Sequence, residues 1–151
     1  MLSKHDNPIL AQLSEDRLSA SFITDGYHLS KEQLQLYLRA KGPERTILVT
    51  DATSAAAAAP GVYGLGPMTL ERQQEPVALS PDTGRPAGSA VTLDQCLQNV
   101  INWFDLSLDD AISWASDNPR KILGNSISKN DFSDQWINWK KMEGMWNCLL
   151  Y

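Results

Sequence analysis

Apolar and polar positions along the chain follow two spacings. The run Leu18-Ser19-Ala20-Ser21-Phe22-Ile23-Thr24 is short and largely apolar, as expected of a strand buried on both faces of a parallel sheet. It closes at Asp25-Gly26, a turn signal. Tyr27-His28-Leu29 leads to Ser30, a helix N-cap, and Gln33 completes a capping box. Leu34, Leu36, Tyr37 and Leu38 populate the helix that follows. Gly42-Pro43 stops it, since glycine accepts a left-handed cap and proline cannot continue the helix. Arg45 to Asp51 is then a second strand of nearly continuous β-branched and apolar residues. Strand, helix and strand within about 35 residues make a βαβ unit, so the two strands are predicted to be parallel with a right-handed crossover.

The flanks are less regular. Asn7-Pro8 opens a short helix-like stretch with Ile9, Leu10 and Leu13. Ala55 to Ala59 are too few alanines to nucleate a helix, so a loop or one short turn is expected before Pro60-Gly61. Met68-Thr69-Leu70 and Val77-Ala78-Leu79 are weak strand candidates, and Asp82 to Pro86 reads as a turn. Val91 to Phe104 is an amphipathic helix with Leu93, Leu97, Val100 and Ile101 on its apolar face. A further helix runs from about Leu108 to Ser116, broken by Asp117-Asn118-Pro119, and Arg120 to Gly124 adds one more turn. The tail, Trp136 to Trp139 and Met145 to Tyr151, reads as one or two strands outside the main sheet.

Composition narrows the function. The 151 residues carry 18 acidic and 13 basic side chains, a net charge of −5. That balance, without a basic cluster, argues against nucleic-acid binding. No apolar run reaches the roughly 20 residues a membrane helix needs, and no signal-peptide pattern is visible, so the cytoplasm is expected. Cys96 and Cys148 form neither CxxC nor a zinc-finger spacing. With His5 and His28 as the two histidines, the chain can hardly build an imidazole-rich metal site by itself.

The spacing of polar residues points to one rim of the sheet. Ligands of parallel α/β folds sit at the C-terminal ends of the strands. Asp25 and His28 follow the first strand and Asp51 follows the second, so all three can approach one mouth.

Four segments carry a family resemblance. Asp25-Gly26-Tyr27-His28 looks like a "DGxH" motif, and Arg39-Ala40-Lys41-Gly42 with Leu48-Val49-Thr50-Asp51-Ala52 is similar to "RAKG…LVTDA". Ala87-Gly88-Ser89 with Thr92 and Asp94 resembles "LAGS…MD", and Asn118-Pro119 to Gly124 resembles a closing "NPA…GL" helix. In this order and spacing they resemble the N-acetylglucosamine-6-phosphate deacetylases of the amidohydrolase superfamily, over roughly residues 5 to 125.

The resemblance implies an α/β fold. It would be the C-terminal fragment of a (β/α)8 barrel, with about the last two barrel strands and the closing helices, plus part of a small β-sandwich. Residues 1–125 would be the barrel part, with an excursion at 60–86, and 126–151 a tail of the small β domain. The resemblance makes Asp51 the catalytic general base and acid, with a contact to the metal also open to it. It makes His28 a substrate contact, and Ala87, Gly88 and Ser89 a loop touching the sugar. The cofactor would be a divalent metal, zinc or iron. Its ligands lie upstream of the matched segments in the family, and His5 matches none of them. The chain alone is therefore expected to bind no metal and to be inactive. The substrate would be an amino-sugar phosphate, and the full-length enzyme a possible homodimer.

Plainer roles stand beside these. Asp51 can cap a strand-to-loop turn, and Asp25 is read as a turn residue. His5 is expected at the surface. Ser89 can cap the helix that begins near Val91. Arg39 and Lys41 are expected to face solvent near a helix end, and Cys96 and the tryptophans to pack in the core. Three functions compete: the deacetylase, a related amidohydrolase with a different amide substrate, and a catalytically dead α/β module or interaction subunit. A small flavodoxin-like domain fits the βαβ unit but lacks a phosphate-cradling glycine loop and has too few strands.

Overall fold

The computed structural model describes residues 7–124 and 137–149. His5, Trp136 and Tyr151, named above, lie outside the described residues. The βαβ unit is present. Strand β1 (Ala20–Ile23) and strand β2 (Thr46–Val49) run parallel, with Ala20 opposite Thr46 and Ile23 opposite Val49. Between them lies α2 (Lys31–Lys41), after a short α1 (Pro8–Ser14). The capping box is formed as expected: Ser30 Oγ accepts from Gln33 N at 3.2 Å, and Gln33 Oε1 accepts from Ser30 N at 3.2 Å. At the other end of α2, Gly42 with φ +72° donates its N–H to Leu38 O.

The excursion is more ordered than the sequence suggests. Strands β3 (Gly61–Leu65), β4 (Met68–Arg72), β5 (Val77–Leu79) and β6 (Pro86–Ser89) form a four-stranded antiparallel sheet in chain order. β4 and β5 match the two weak candidates. β3 falls where a loop was expected, and β6 follows the expected turn at residues 82–86 in the segment the resemblance made a loop; the pairing of Leu65 with Met68 and of Val77 with Ser89 makes both of them strands. The alanine run makes turns, as expected, and Ala55 is buried beneath Leu70 and Ala78.

The helices come last. α3 (Leu93–Phe104) begins after Thr92, two residues later than expected, and is followed by α4 (Leu108–Ile112) and α5 (Asn118–Leu123). Asn118-Pro119 does not break the helix. The chain passes through a wide π-type turn over Ser113–Asp117, and Asn118 N donates back to Ser113 O. Pro119 then falls in the first turn of α5, where its missing N–H costs nothing. Asn118 is buried and its Nδ2 donates to Pro43 O at 2.8 Å and to Thr46 O at 2.7 Å, tying α5 to the start of β2.

Lys41 is a second correction. It was expected to face solvent, yet it is 1% exposed. Its Nζ donates to Glu15 O and Leu18 O, both at 2.8 Å, and so pins the turn that feeds β1. Arg39 is exposed, as expected.

The main core joins Phe22, Leu34, Leu38, Leu48, Leu97, Val100, Ile101 and Trp114. Leu34 is fully buried, and truncation to alanine there costs about 2–5 kcal/mol. Trp103, Trp139 and Trp146 pack against this core, consistent with a packing role for the tryptophans. Where one or two strands outside the main sheet were expected, β7 (Asn138–Met142) and β8 (Met145–Leu149) form a hairpin, docked on α3 where Trp146 N donates to Asn102 Oδ1 at 3.0 Å. Among the described residues the strands make sheets of two, four and two, with no closed barrel. The parallel sheet is also too small for a doubly wound domain. No helix among the described residues is long and apolar enough to cross a membrane.

Candidate active site

Parallel pairing puts the two candidate carboxylates at equivalent places. Asp25 and Asp51 each stand two residues beyond the last paired positions, Ile23 and Val49, on the same rim of the sheet. Asp51 is exposed and has φ +51°, a left-handed conformation that aspartate tolerates better than most residues.

The 87–89 segment is fastened to Asp51. Ser89 N donates to Asp51 O at 2.9 Å, and Thr53 N donates to Ser89 O at 3.1 Å. Gly88 lies between them with φ +101°. A Cβ there would stand 2.5 Å from Thr53 Cγ2 and 2.9 Å from Asp51 O, so no other residue fits without displacing the turn. Gly88 and Ser89 therefore meet Asp51 from a strand far away in sequence, while Ala87 packs against Ala55, Leu70 and Ala78. Ser89 itself is fully buried; its Oγ accepts from Val91 N at 3.2 Å and donates to Pro76 O at 3.4 Å. It is not the cap of α3. That position belongs to Thr92, whose side chain makes no capping bond.

The other half of the rim is a compact turn. Asp25 Oδ1 accepts from Tyr27 N at 2.9 Å and His28 N at 3.0 Å, and Asp25 Oδ2 meets His28 Nδ1 at 2.7 Å. Asp25 is 5% exposed. Burial pushes its carboxyl up, but the bonds from His28 N, Tyr27 N and the His28 ring outweigh that and hold it below the usual carboxylate range. The turn-residue reading of Asp25 is thus correct but incomplete, because the side chain also grips His28. The signal was available in the three-residue spacing between Asp25 and His28.

Two further features hold this turn. Gly26, at φ +78°, leaves 3.2 Å between a built Cβ and Trp103 Cη2. Asn99 Nδ2 donates to Thr24 O at 2.7 Å and Thr24 Oγ1 donates to Cys96 O at 3.0 Å, so α3 braces the end of β1. Cys96 is fully buried, and burial pushes its thiol up. It is a packing residue, as expected, and not a nucleophile.

The donors present do not make a metal site by themselves. Among the described residues no group of three or more His, Cys, Asp or Glu is arranged to hold an ion. Asp51 is a single carboxylate, and His28 Nδ1 is already engaged by Asp25.

No family model matches the chain. Individual proteins do. The N-acetylglucosamine-6-phosphate deacetylase of Vibrio furnissii is 32% identical over 102 residues, which are 68% of this chain and 25% of that protein. The human N-acetylglucosamine-6-phosphate deacetylase is 31% identical over 132 residues, 83% of this chain and 32% of that protein. Among solved structures, the Mycobacterium smegmatis N-acetyl-D-glucosamine-6-phosphate deacetylase, in complex with N-acetyl-D-glucosamine-6-phosphate, superposes with a TM-score of 0.70 at 32% identity. That match covers 78% of this chain and 32% of the solved one.

The fold is therefore an α/β arrangement related to amidohydrolase structures. More narrowly, the chain is homologous to the N-acetylglucosamine-6-phosphate deacetylase family, over a C-terminal-like portion. It spans about a quarter to a third of the length of the relatives just described.

Proposed function

We propose that the chain is the part of an amino-sugar phosphate deacetylase that supplies its proton carrier and one wall of its substrate site. Asp51 accepts a proton from the attacking water and passes it to the leaving amine nitrogen. His28 contacts the substrate, and the backbone of Ala87, Gly88 and Ser89 approaches the sugar. The observation that carries the reading is the meeting of three sequence-distant segments on one rim: Asp51, the Asp25–His28 turn, and the 87–89 strand end bonded to Asp51 O.

Residues 1–125, with the excursion at 60–86, belong on this reading to the closing part of a barrel. Residues 126–151 belong to a small β unit. The divalent metal would be held mainly by residues upstream of the matched segments, with a contact from Asp51 open to it, and the isolated chain is inactive for want of the others. The whole protein works in the cytoplasm. The donor set favours one further reading, a module without catalysis of its own, because the described residues assemble no metal ligand group.

A chimera separates the two. The chain is grafted after the part of the Vibrio furnissii deacetylase that precedes the matched region. Acetate release is then measured from N-acetylglucosamine-6-phosphate and N-acetylgalactosamine-6-phosphate with zinc supplied. Acetate is expected, and Asp51→Asn should lower the rate by about 100- to 10,000-fold. A folded, zinc-loaded chimera that releases no acetate from either sugar removes the deacetylase assignment.

A further inference from the structure

We infer that Asp25 is a positioning residue that fixes which nitrogen of His28 carries the ring proton, and hence which nitrogen meets the ligand. The consequence for substrate rests on the reading of His28 given above; the placement of the proton does not.

The Asp25 carboxylate uses both of its oxygens within one turn. Asp25 Oδ1 is committed to two backbone donors, Tyr27 N and His28 N. Those bonds make an Asx-type turn and orient the carboxylate so that Oδ2 lies 2.7 Å from His28 Nδ1. The Asp25 side chain is wholly buried, while the His28 side chain retains 22% exposure. An ionised carboxylate only accepts hydrogen bonds. His28 Nδ1 must therefore donate, and the neutral ring carries its proton on Nδ1. Nε2 is left with a free lone pair.

A neutral His28 so held accepts a hydrogen bond at Nε2. A hydrogen-bond donor such as a sugar hydroxyl suits Nε2 of the neutral ring; in the doubly protonated ring Nδ1 still donates to Asp25 and Nε2 becomes a donor as well. Asp25 never touches the ligand; it acts through the imidazole. Gly26, wedged against Trp103, keeps the backbone of this turn in place.

Replacing the carboxylate by an amide tests this without dismantling the turn. In Asp25→Asn, the Asn Oδ1 can still accept from Tyr27 N and His28 N. The atom facing His28 Nδ1 becomes an NH2 donor, so Nδ1 must turn acceptor and the proton must move to Nε2. The readout is nitrogen-edited NMR of the imidazoles of the whole chain at alkaline pH, where the ring is neutral. His5→Gln leaves a single histidine and assigns the signals. The expected result is a protonated Nδ1 in the parent and a protonated Nε2 in Asp25→Asn, with amide spectra otherwise alike. A parent ring protonated at Nε2, or freely exchanging between the two forms, overturns the inference. So does an Asp25→Asn ring whose proton stays on Nδ1. None of these outcomes depends on deacetylase activity, so failure here is distinct from failure of the acetate assay.

Discussion

Gly88→Ala attacks the rim where Asp51 is held. At φ +101° an L-residue is strained, at a cost of about 1–3 kcal/mol. The new methyl would also stand 2.5 Å from Thr53 Cγ2 and 2.9 Å from Asp51 O. Thr53 cannot turn away freely, because its Oγ1 bonds Ser89 O at 3.4 Å and accepts from Ala55 N at 3.3 Å. Asp51 O is backbone and already receives Ser89 N. Crowding of this kind adds about 1–3 kcal/mol. Together these make an expected loss of about 2–6 kcal/mol, a large share of the stability of a domain this size. With a urea slope of about 2 kcal/mol per M, unfolding followed by far-UV circular dichroism should show a midpoint lower by about 1–3 M at an unchanged slope. Combining Gly88→Ala with Thr53→Ala removes one contact but neither the backbone strain nor the approach to Asp51 O. It should recover less than half of the loss. A single mutant within about 0.5 kcal/mol of the parent refutes the strain argument. Full rescue by Thr53→Ala refutes the part of it that concerns the backbone.

Three more outcomes follow from the described geometry. Lys41→Met leaves Glu15 O and Leu18 O without their buried ammonium and should lower stability by about 2–4 kcal/mol in the same urea assay. The depressed Asp25 carboxyl stabilises the fold above its unfolded-chain pKa of about 4, and that share is lost as pH falls through the lower folded value. Asp25→Asn should therefore flatten the acid limb of stability below about pH 4, measured by urea midpoints across an acid series. Finally, the purified chain dialysed against zinc at neutral pH should retain no stoichiometric metal by elemental analysis, and tight one-to-one zinc would overturn the incomplete-ligand reading.

Local chemistry carried the βαβ unit into view. The capping box at Ser30 and Gln33, the glycine stop at Gly42 and the two apolar strands are all signals within a few residues of the structure they make. The shared rim was legible for the same reason, since parallel strands put Asp25 and Asp51 at like positions. What stayed hidden depends on distant partners. Gly61 to Leu65 has the composition of a loop and becomes a strand only because it pairs with β4. Lys41 looks like a helix-end charge until the carbonyls of Glu15 and Leu18 fold onto it. Asn118-Pro119 reads as a break, yet a widened helical turn absorbs it and Asn118 spends its amide on Pro43 and Thr46. The attachment of Ser89 to Asp51 O joins positions that no local pattern connects. The grip of Asp25 on His28 was local, and a turn residue explained the aspartate well enough to mask it.

Helix α3 bears on both ends of the molecule. Within the same turns, Asn99 reaches Thr24 and Trp103 reaches Gly26, while the neighbouring Gln98 and Asn102 hold the hairpin. Clipping the hairpin would unload only Gln98 and Asn102 directly, but Asn99 and Trp103 stand beside them on the same helical turns. The indole of Trp103 thus makes a natural gauge: a change in its emission on removing the last strands would report, at the Gly26 bend, a cut made at the opposite end of the chain.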